Sequence, residues 1–199
     1  MMMAVVCLMS GQVKAQTIPT ASADVSPMLV GETMPDATLV SAAGREVSLY
    51  ALMNKPTVIV FYRGTWCPNC ITNFKEEFLP NLAEFDRQGY NLITIAPDAP
   101  ASLTATAAAT SMDAKYFYGD PTGALSKALG LAWKQQDRMA ERLTEASGGK
   151  NTDMTLPVPA VYIVGADNEI IFADIRPNAI PAAKRAKWNI VGAALQAYR

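Results

Sequence analysis

The sequence contains no histidine and only three cysteines in 199 residues. A structural zinc site needs four cysteine or histidine ligands, so the ligand supply excludes one. The absence of histidine also excludes a Cys–His nucleophile pair. We therefore predict no metal and no other cofactor.

An excess of basic residues is also absent, because 17 lysines and arginines face 18 acidic residues. No basic cluster or aromatic platform interrupts this balance. The electrostatic footprint of a nucleic-acid-binding protein is therefore missing, and we predict no nucleic-acid partner.

Long apolar runs are missing as well, and the nearest approach is residues 1–15, "MMMAVVCLMSGQVKA". About a dozen apolar residues are too few to span a bilayer. The small-residue pattern before Gln16 predicts a secretory signal peptide, hence a periplasmic or secreted protein with no stable membrane insertion after its removal. A short buried or anchoring helix is the alternative. Cleavage would remove Cys7 and leave Cys67 and Cys70.

The rest of the chain is predicted to form one α/β domain over residues 31–199, after a flexible lead-in over 16–30. Two short runs around a turn predict an N-terminal hairpin. Two continuous apolar runs predict buried strands that form a parallel pair across a right-handed helical crossover. These runs read "ATLVS", "REVSL", "TVIVFY" and "YNLITIA".

The crossover helix is predicted over residues 68–88, from apolar residues spaced by three and four. Pro80 should kink it and Gly89 should end it. Further along, residues 131–147 are predicted to be weakly amphipathic helix, followed by a hairpin, "AVYIVG" and "EIIFADI", and a C-terminal helix. The order predicts an α/β sandwich with a mixed central sheet and helices on both faces.

The stretch "GTWCPNC" carries Cys67 and Cys70 where a strand gives way to a helix. A disulfide over two intervening residues restrains the unfolded chain little, so a purely structural bond is a weak alternative. Pro68 suits the first helical position, which puts Cys67 at the N-cap and makes it the more acidic, solvent-reachable thiol. Cys70 is predicted to be the more buried, resolving cysteine.

The residues Arg63, Thr65 and Trp66, which precede Cys67, are candidates for supporting roles. The charge of Arg63 could stabilise a thiolate, although a solvated surface position is the interpretation that we favour. Trp66 could cover one side of the site or pack as an ordinary strand-end residue.

With "GETMPD", "FYRGTWCPNC" and "LPVPAVYIVGADNEIIFADI" in this order, the chain resembles the thioredoxin superfamily over residues 31–195. Within it, the sequence is most similar to the peroxiredoxin-like branch of alkyl hydroperoxide reductases and thiol-specific antioxidant proteins. The resemblance implies a thioredoxin-like sandwich, catalytic Cys67 and Cys70, and a cis-Pro159 lying against them. A trans proline that only begins a strand is the alternative for Pro159. It also implies thiol or disulfide protein substrates, or a reductant protein, as partners; the oligomeric state is left open.

Departures from the family pattern decide the predicted reaction. Peroxiredoxins carry Thr or Ser three residues before the peroxidatic cysteine, where this chain has Gly64, and their later arginine is replaced within "LPVP". Thioredoxin's buried carboxylate has Val60 as its match. We therefore predict an extracytoplasmic thiol–disulfide oxidoreductase, with a thiol peroxidase using Cys67 or Cys70 as the first alternative. A redox-inactive binding module on the same fold is the second.

Overall fold

The computed structural model describes residues 17–177, and a mixed seven-stranded sheet forms the centre of this part of the chain. In chain order the strands are β1 Thr38–Ser41, β2 Glu46–Ser48, β3 Thr57–Phe61, β4 Asn91–Ala96, β5 Phe117–Gly119, β6 Ala132–Lys134, β7 Thr155–Pro157, β8 Ala160–Val164 and β9 Ile170–Ile175. The large sheet has the order β2-β1-β5-β4-β3-β8-β9, and β6 pairs with β7 separately. The α-helices are α1 Leu49–Leu52, α2 Pro68–Asn73, α3 Leu82–Arg87, α4 Pro100–Thr110, α5 Ala124–Ala128 and α6 Ala140–Ala146.

Strands β3 and β4 form the predicted parallel pair, with Thr57 opposite Asn91 and Phe61 opposite Ile95. The N-terminal hairpin β1–β2 and the later hairpin β8–β9 are antiparallel, as predicted. Because β3 and β4 run in the same direction, their carboxyl ends meet at one edge of the sheet. The residues that follow these two strands therefore lie close together.

Two hydrophobic cores lie on opposite faces of the sheet. Alternation along β3 sends Val58 and Val60 to one core and Ile59 and Phe61 to the other. The first core includes residues of α3, α4 and the helical run after Cys70, and the second includes residues of α1 and α5. The predicted α/β sandwich, with helices on both faces of a mixed sheet, is confirmed.

The predicted helix over residues 68–88 is a continuous helical run with an irregular middle. After α2, a π-helical turn covers Phe74–Phe78 and a 3-10 turn covers Leu79–Asn81, before α3. Pro80 explains the irregularity, because its ring displaces the carbonyl one turn earlier and it has no N–H to donate. The run ends at Gly89, which has a φ of 79°.

The predicted helix over residues 131–147 is wrong in its first part, where the structure has β6 instead. The partner of β6 is β7, about twenty residues later in the chain, so no local periodicity reveals the pairing. Helix α6 closes the segment, and the carbonyl of Ala146 accepts hydrogen bonds from Ala99 N, at 2.7 Å, and Ser102 Oγ, at 3.0 Å. This segment therefore packs beside the end of the sheet at which β4 stops.

The two ends of the described chain concern the predicted lead-in and the segments predicted at the chain termini. The predicted lead-in includes residues that touch the domain, since Met28 N donates to Leu129 O at 2.9 Å and Met28 O accepts from the Tyr162 hydroxyl at 3.1 Å. The predicted signal peptide and the predicted C-terminal helix lie outside the described residues. Between residues 17 and 177, the structure has no helix long and apolar enough to cross a membrane.

Candidate active site

The cysteine pair lies directly after the parallel core of the sheet. Strand β3 ends at Phe61, six residues form a connecting turn, and α2 begins at Pro68. Cys67 is the N-cap residue, with extended backbone angles, and Pro68 occupies the first turn as predicted. The carbonyl of Cys67 accepts hydrogen bonds from the N–H groups of Cys70, at 2.9 Å, and Ile71, at 3.2 Å. The first helical turn thus brings the two cysteines together.

Cys67 and Cys70 form a disulfide bond, with their Cα atoms 5.3 Å apart. Among residues 17–177 there is no cluster of His, Cys, Asp and Glu that could hold a metal ion. The pair can therefore store two electrons by opening and closing one sulfur–sulfur bond. That is the chemistry of a dithiol redox centre.

The prediction that Cys67 is the more accessible and Cys70 the more buried cysteine is wrong, and the structure shows the opposite order. Cys67 is 0% exposed, whereas Cys70 is partly exposed and packs against the edge of a core. The cause is the path of the chain. Strand β3 is buried on both faces, so the turn that follows it enters the helix while still inside the protein, and Cys70 lies one turn closer to the surface. In the disulfide form a large molecule can approach only the Cys70 side of the bond.

Arg63 lies against the buried sulfur rather than in solvent. Its Nη2 donates a hydrogen bond to Cys67 Sγ at 3.2 Å, and its guanidinium carbon lies 5.7 Å from the ring centroid of Trp66. The favoured surface interpretation of Arg63 is therefore wrong. A guanidinium beside a sulfur stabilises that sulfur when it carries negative charge. Trp66 also holds the guanidinium, through a cation–π contact.

Thr65 takes part in the site through its backbone. Its N–H donates to Oδ2 of Asp98 at 2.9 Å. Asp98 is 0% exposed and follows β4 at the same edge of the sheet. Burial raises the pKa of Asp98 to about 7, although the Thr65 hydrogen bond opposes that rise. Sequence reasoning missed Asp98; its signal is a carboxylate between prolines, directly after the strand beside β3.

Gly64 allows Asp98 and Trp66 to approach the turn closely. A Cβ on Gly64 would lie 2.8 Å from Asp98 Oδ1 and 2.8 Å from Trp66 Nε1, and the φ of Gly64 is 135°. Both of these polar atoms are buried, and neither has a hydrogen-bond partner among the residues that the structure describes. A buried acceptor and a buried donor thus face the same small space beside the turn.

Pro159 lies at the same end of the sheet, since β8 begins one residue later and Ala160 pairs with Phe61. The predicted cis peptide before Pro159 is wrong, because no peptide bond between residues 17 and 177 is cis. The carbonyl of Pro159 accepts a hydrogen bond from Arg176 N at 2.9 Å. The structure therefore brings Pro159 to the edge of the sheet that carries the cysteine pair.

The chain thus combines a thioredoxin-like fold with a disulfide-bonded cysteine pair at the start of a helix. The family model described as the AhpC/TSA family matches residues 30–173. The chain belongs to the AhpC/TSA family.

Similar proteins support this assignment. A curated Mycobacterium tuberculosis peroxiredoxin is 34% identical over 73 residues, which cover 37% of this chain and 46% of the relative, so the chain spans about half the length of that relative. The crystal structure of the peroxidoxin BcpB from the same organism shares the fold, with a TM-score of 0.66, 18% identity, and coverage of 86% of this chain and 99% of that one. A yeast mitochondrial 1-Cys peroxiredoxin has a TM-score of 0.60 and 15% identity, with coverage of 85% of this chain and 76% of that one.

Proposed function

We propose that the chain is a thiol-dependent hydroperoxide reductase in which Cys67 reacts with the peroxide and Cys70 resolves the product. The contact between Arg63 Nη2 and Sγ of the buried Cys67 carries this proposal. The sequence alone favours disulfide exchange, because the hydroxyl and the arginine of a peroxidatic site are missing from their usual positions. In the structure, Arg63 supplies a guanidinium from a different position. Its contact with Cys67 supports ranking peroxide reduction above disulfide exchange.

Burial of Cys67 favours a small oxidant. A protein disulfide cannot approach a sulfur that is 0% exposed, whereas a small hydroperoxide needs much less of the surrounding protein to move aside. The Cys67 thiolate would attack one peroxide oxygen, the O–O bond would break, and the leaving alkoxide would take a proton from solvent. The product is a sulfenic acid on Cys67. The Cys70 thiol would then attack that sulfur, with release of water and formation of the observed disulfide.

Reduction of the disulfide would begin at Cys70. A thiolate of the reductant attacks the more accessible sulfur, forms a mixed disulfide with Cys70 and releases Cys67 as a thiolate. Arg63 lies where it stabilises the charge on that leaving sulfur. A second thiol of the reductant then frees Cys70. Each cycle therefore oxidises one dithiol and reduces one hydroperoxide to an alcohol and water.

A dithiol protein of the thioredoxin type fits this scheme as the reductant in the cell. The yeast mitochondrial 1-Cys peroxiredoxin is described with a thiol resolving mechanism via the glutathione and thioredoxin systems. In this chain, the partly exposed Cys70 offers the point at which such a protein would attack.

Consumption of hydrogen peroxide with dithiothreitol as reductant tests the proposal. The wild type should turn over and Cys67→Ser should be inactive. Cys70→Ser, reduced beforehand and assayed without dithiothreitol, should complete about one reaction per molecule before it stops. Peroxide consumption by Cys67→Ser at the wild-type rate would contradict the role of Cys67. A wild type that does not consume peroxide faster than dithiothreitol alone would contradict the whole proposal.

Disulfide exchange with peptide or protein thiols is the second candidate, and the partial exposure of Cys70 favours it. It shares the reduction half-cycle with the first candidate but needs no peroxide. Reduction of insulin separates the two, because exchange predicts turnover with insulin and slow turnover with peroxide. Equal insulin rates for the wild type and Cys70→Ser would remove this candidate.

We propose in addition that the protein works outside the cytoplasm, in the periplasm or after secretion. The support is the apolar stretch over residues 1–15 and the small residues before Gln16. Fractionation of cells that express the full chain, with amino-terminal sequencing of the product, tests this location. Recovery of the uncleaved chain in the cytoplasm would contradict it.

A further inference from the structure

Asp98 connects β4 to the turn that carries the candidate active site. The carboxylate is buried and accepts the Thr65 N–H through Oδ2 at 2.9 Å. Thr65 is two residues before Cys67, and the N–H of Cys67 donates in turn to Gly64 O at 3.1 Å. One side chain that follows the neighbouring strand thus fixes the backbone of the turn that presents Cys67.

The second oxygen of Asp98 points to a further role. Oδ1 is buried and has no hydrogen-bond partner in the described part of the chain, and Trp66 Nε1, also buried, lies near it across Gly64. An unpaired carboxylate oxygen in such a place costs free energy when it is charged, and the cost falls when a proton is added. Holding the turn therefore requires only Oδ2, and Oδ1 is available to bind a proton.

Within the described part of the chain, few other ionisable groups surround Asp98. Tyr62, at the end of β3, is the titratable neighbour; burial and the charge of Asp98 raise its pKa well above the ordinary value, so it stays neutral. Arg63 contacts Cys67 Sγ. The segment after Asp98 and the end of α6 contribute Ser102, Thr106 and Ala146 to these surroundings. None of these residues has a side chain that ionises near neutral pH. Asp120, after the neighbouring β5, turns its carboxylate to Ser126.

We propose that Asp98 is a positioning residue for the Cys67–Cys70 pair, which holds the turn before Cys67 through the Thr65 amide and takes up a proton when the pair is reduced. The inference rests on the proposed function, because it requires the disulfide to open and close. A dithiol reductant supplies the two electrons and becomes a disulfide. Cys67 leaves as a thiolate, Cys70 receives one proton, and the new charge on Cys67 draws a second proton to Asp98.

The redox equilibrium of the pair with glutathione, measured at two pH values, tests this coupling. Asp98→Asn keeps an oxygen that can accept the Thr65 N–H but carries no charge. At about pH 8, where Asp98 of the wild type is ionised, the variant should favour the reduced form about tenfold more than the wild type, or about 30 mV. At about pH 5.5, where the wild-type carboxyl is protonated, the two should agree within about twofold.

Asp120→Asn is the matched control. Asp120 is also a buried aspartate whose pKa burial raises, but its carboxylate accepts hydrogen bonds from the Ser126 N–H and hydroxyl. This variant should leave the redox equilibrium within about twofold of wild type at both pH values. A shift in Asp98→Asn that is equal at both pH values, or no shift, would overturn the inference. A wild-type disulfide that dithiothreitol cannot reduce would instead overturn the proposed function.

A measurement on the wild type stands beside the variant in case Asp98→Asn folds poorly. The infrared difference spectrum between the reduced and disulfide forms, recorded slightly above neutral pH, should gain the C=O band of a protonated carboxyl group. The band should also appear in Asp120→Asn. A difference spectrum without such a gain would overturn proton uptake by Asp98.

Discussion

Nη2 of Arg63 donates a hydrogen bond to Sγ of Cys67 at 3.2 Å, from a position four residues earlier in the chain. The same guanidinium lies 5.7 Å from the ring centroid of Trp66. The positive charge is therefore held at the buried sulfur of the pair before the disulfide opens. When the disulfide opens, the thiolate forms beside a partner that is already in place.

We expect Arg63→Met to reduce the reactivity of Cys67. Loss of the guanidinium removes stabilisation from the thiolate, so the pH midpoint of alkylation of reduced Cys67 should rise by about one unit. The rate with hydrogen peroxide at neutral pH should fall about tenfold, since the thiolate is the nucleophile. Cys70→Ser is the background for both measurements, so that one thiol reacts.

The control for this prediction is Arg87→Met. Arg87 forms an exposed ion pair with Glu84 on α3 and lies at the far end of the helical run that begins beside the cysteine pair. The alkylation midpoint should stay unchanged in this variant. An unchanged midpoint in Arg63→Met as well would show that the contact in the disulfide form has no counterpart in the reduced protein.

The two cysteines should respond differently to the size of a reagent. Cys67 is buried and Cys70 is partly exposed. A maleimide attached to a long polymer should label Cys70, in Cys67→Ser, at least about tenfold faster than Cys67, in Cys70→Ser. Hydrogen peroxide should show the opposite preference. If the bulky reagent labels Cys67 faster, reduction exposes that sulfur, and the result would favour disulfide exchange with large substrates.

Much of the fold could be predicted from the sequence because its main signals are local. Strands β3 and β4 are apolar runs of five and six residues separated by a helical pattern, and chain connectivity then dictates a parallel pair. The first helical turn at Pro68 follows from the backbone preference of proline. Strand β6 carries no such signal, because what makes it a strand is a hydrogen-bonded partner far along the chain.

The parts of the site that sequence reasoning misses depend on packing between distant segments. Residue types and spacing identify Cys67 and Cys70, but they do not reveal which sulfur the chain buries. Asp98 reads as an ordinary loop carboxylate until β4 is placed beside β3 and the Thr65 N–H is directed at it. Arg63 has a surface interpretation until the turn brings its guanidinium back to Sγ. Each of these properties belongs to the assembled edge of the sheet.

Gly64→Ala should destabilise the protein and disturb the site together. The φ of Gly64 is 135°, and a Cβ there would lie 2.8 Å from both Asp98 Oδ1 and Trp66 Nε1. We expect a loss of about 2 kcal/mol or more in the free energy of unfolding, measured in urea. Gly44→Ala is the control, because Gly44 has a φ of 77° with no atom near its Cβ position. Its loss should be about 1 kcal/mol, and an equal loss at Gly64 would mean that the close approach carries no cost.

Ionisation of Asp98 should make the free energy of unfolding depend on pH. Its pKa is raised to about 7 in the folded protein by burial, against an ordinary value of 3.8. Between these values the folded state binds more protons than the unfolded state, so this group stabilises the fold at low pH. That stabilisation is lost as the pH rises through about 7. Relative to wild type, Asp98→Asn should therefore gain up to about 4 kcal/mol between about pH 4 and pH 8.

The contrasting variant for this last prediction is Asp36→Asn. Burial opposes ionisation of Asp36, but the hydrogen bonds from Tyr50, Ser48 and Ala37 together outweigh it and lower the pKa of Asp36 below its ordinary value. Asp36 therefore stabilises the fold above about pH 4 and loses that effect as the pH falls, so Asp36→Asn should lose stability relative to wild type as the pH rises. Urea unfolding across this pH range measures both variants. Parallel pH profiles for Asp98→Asn and the wild type would mean that Asp98 ionises in the fold as it does in water, and that its burial does not hold the proton.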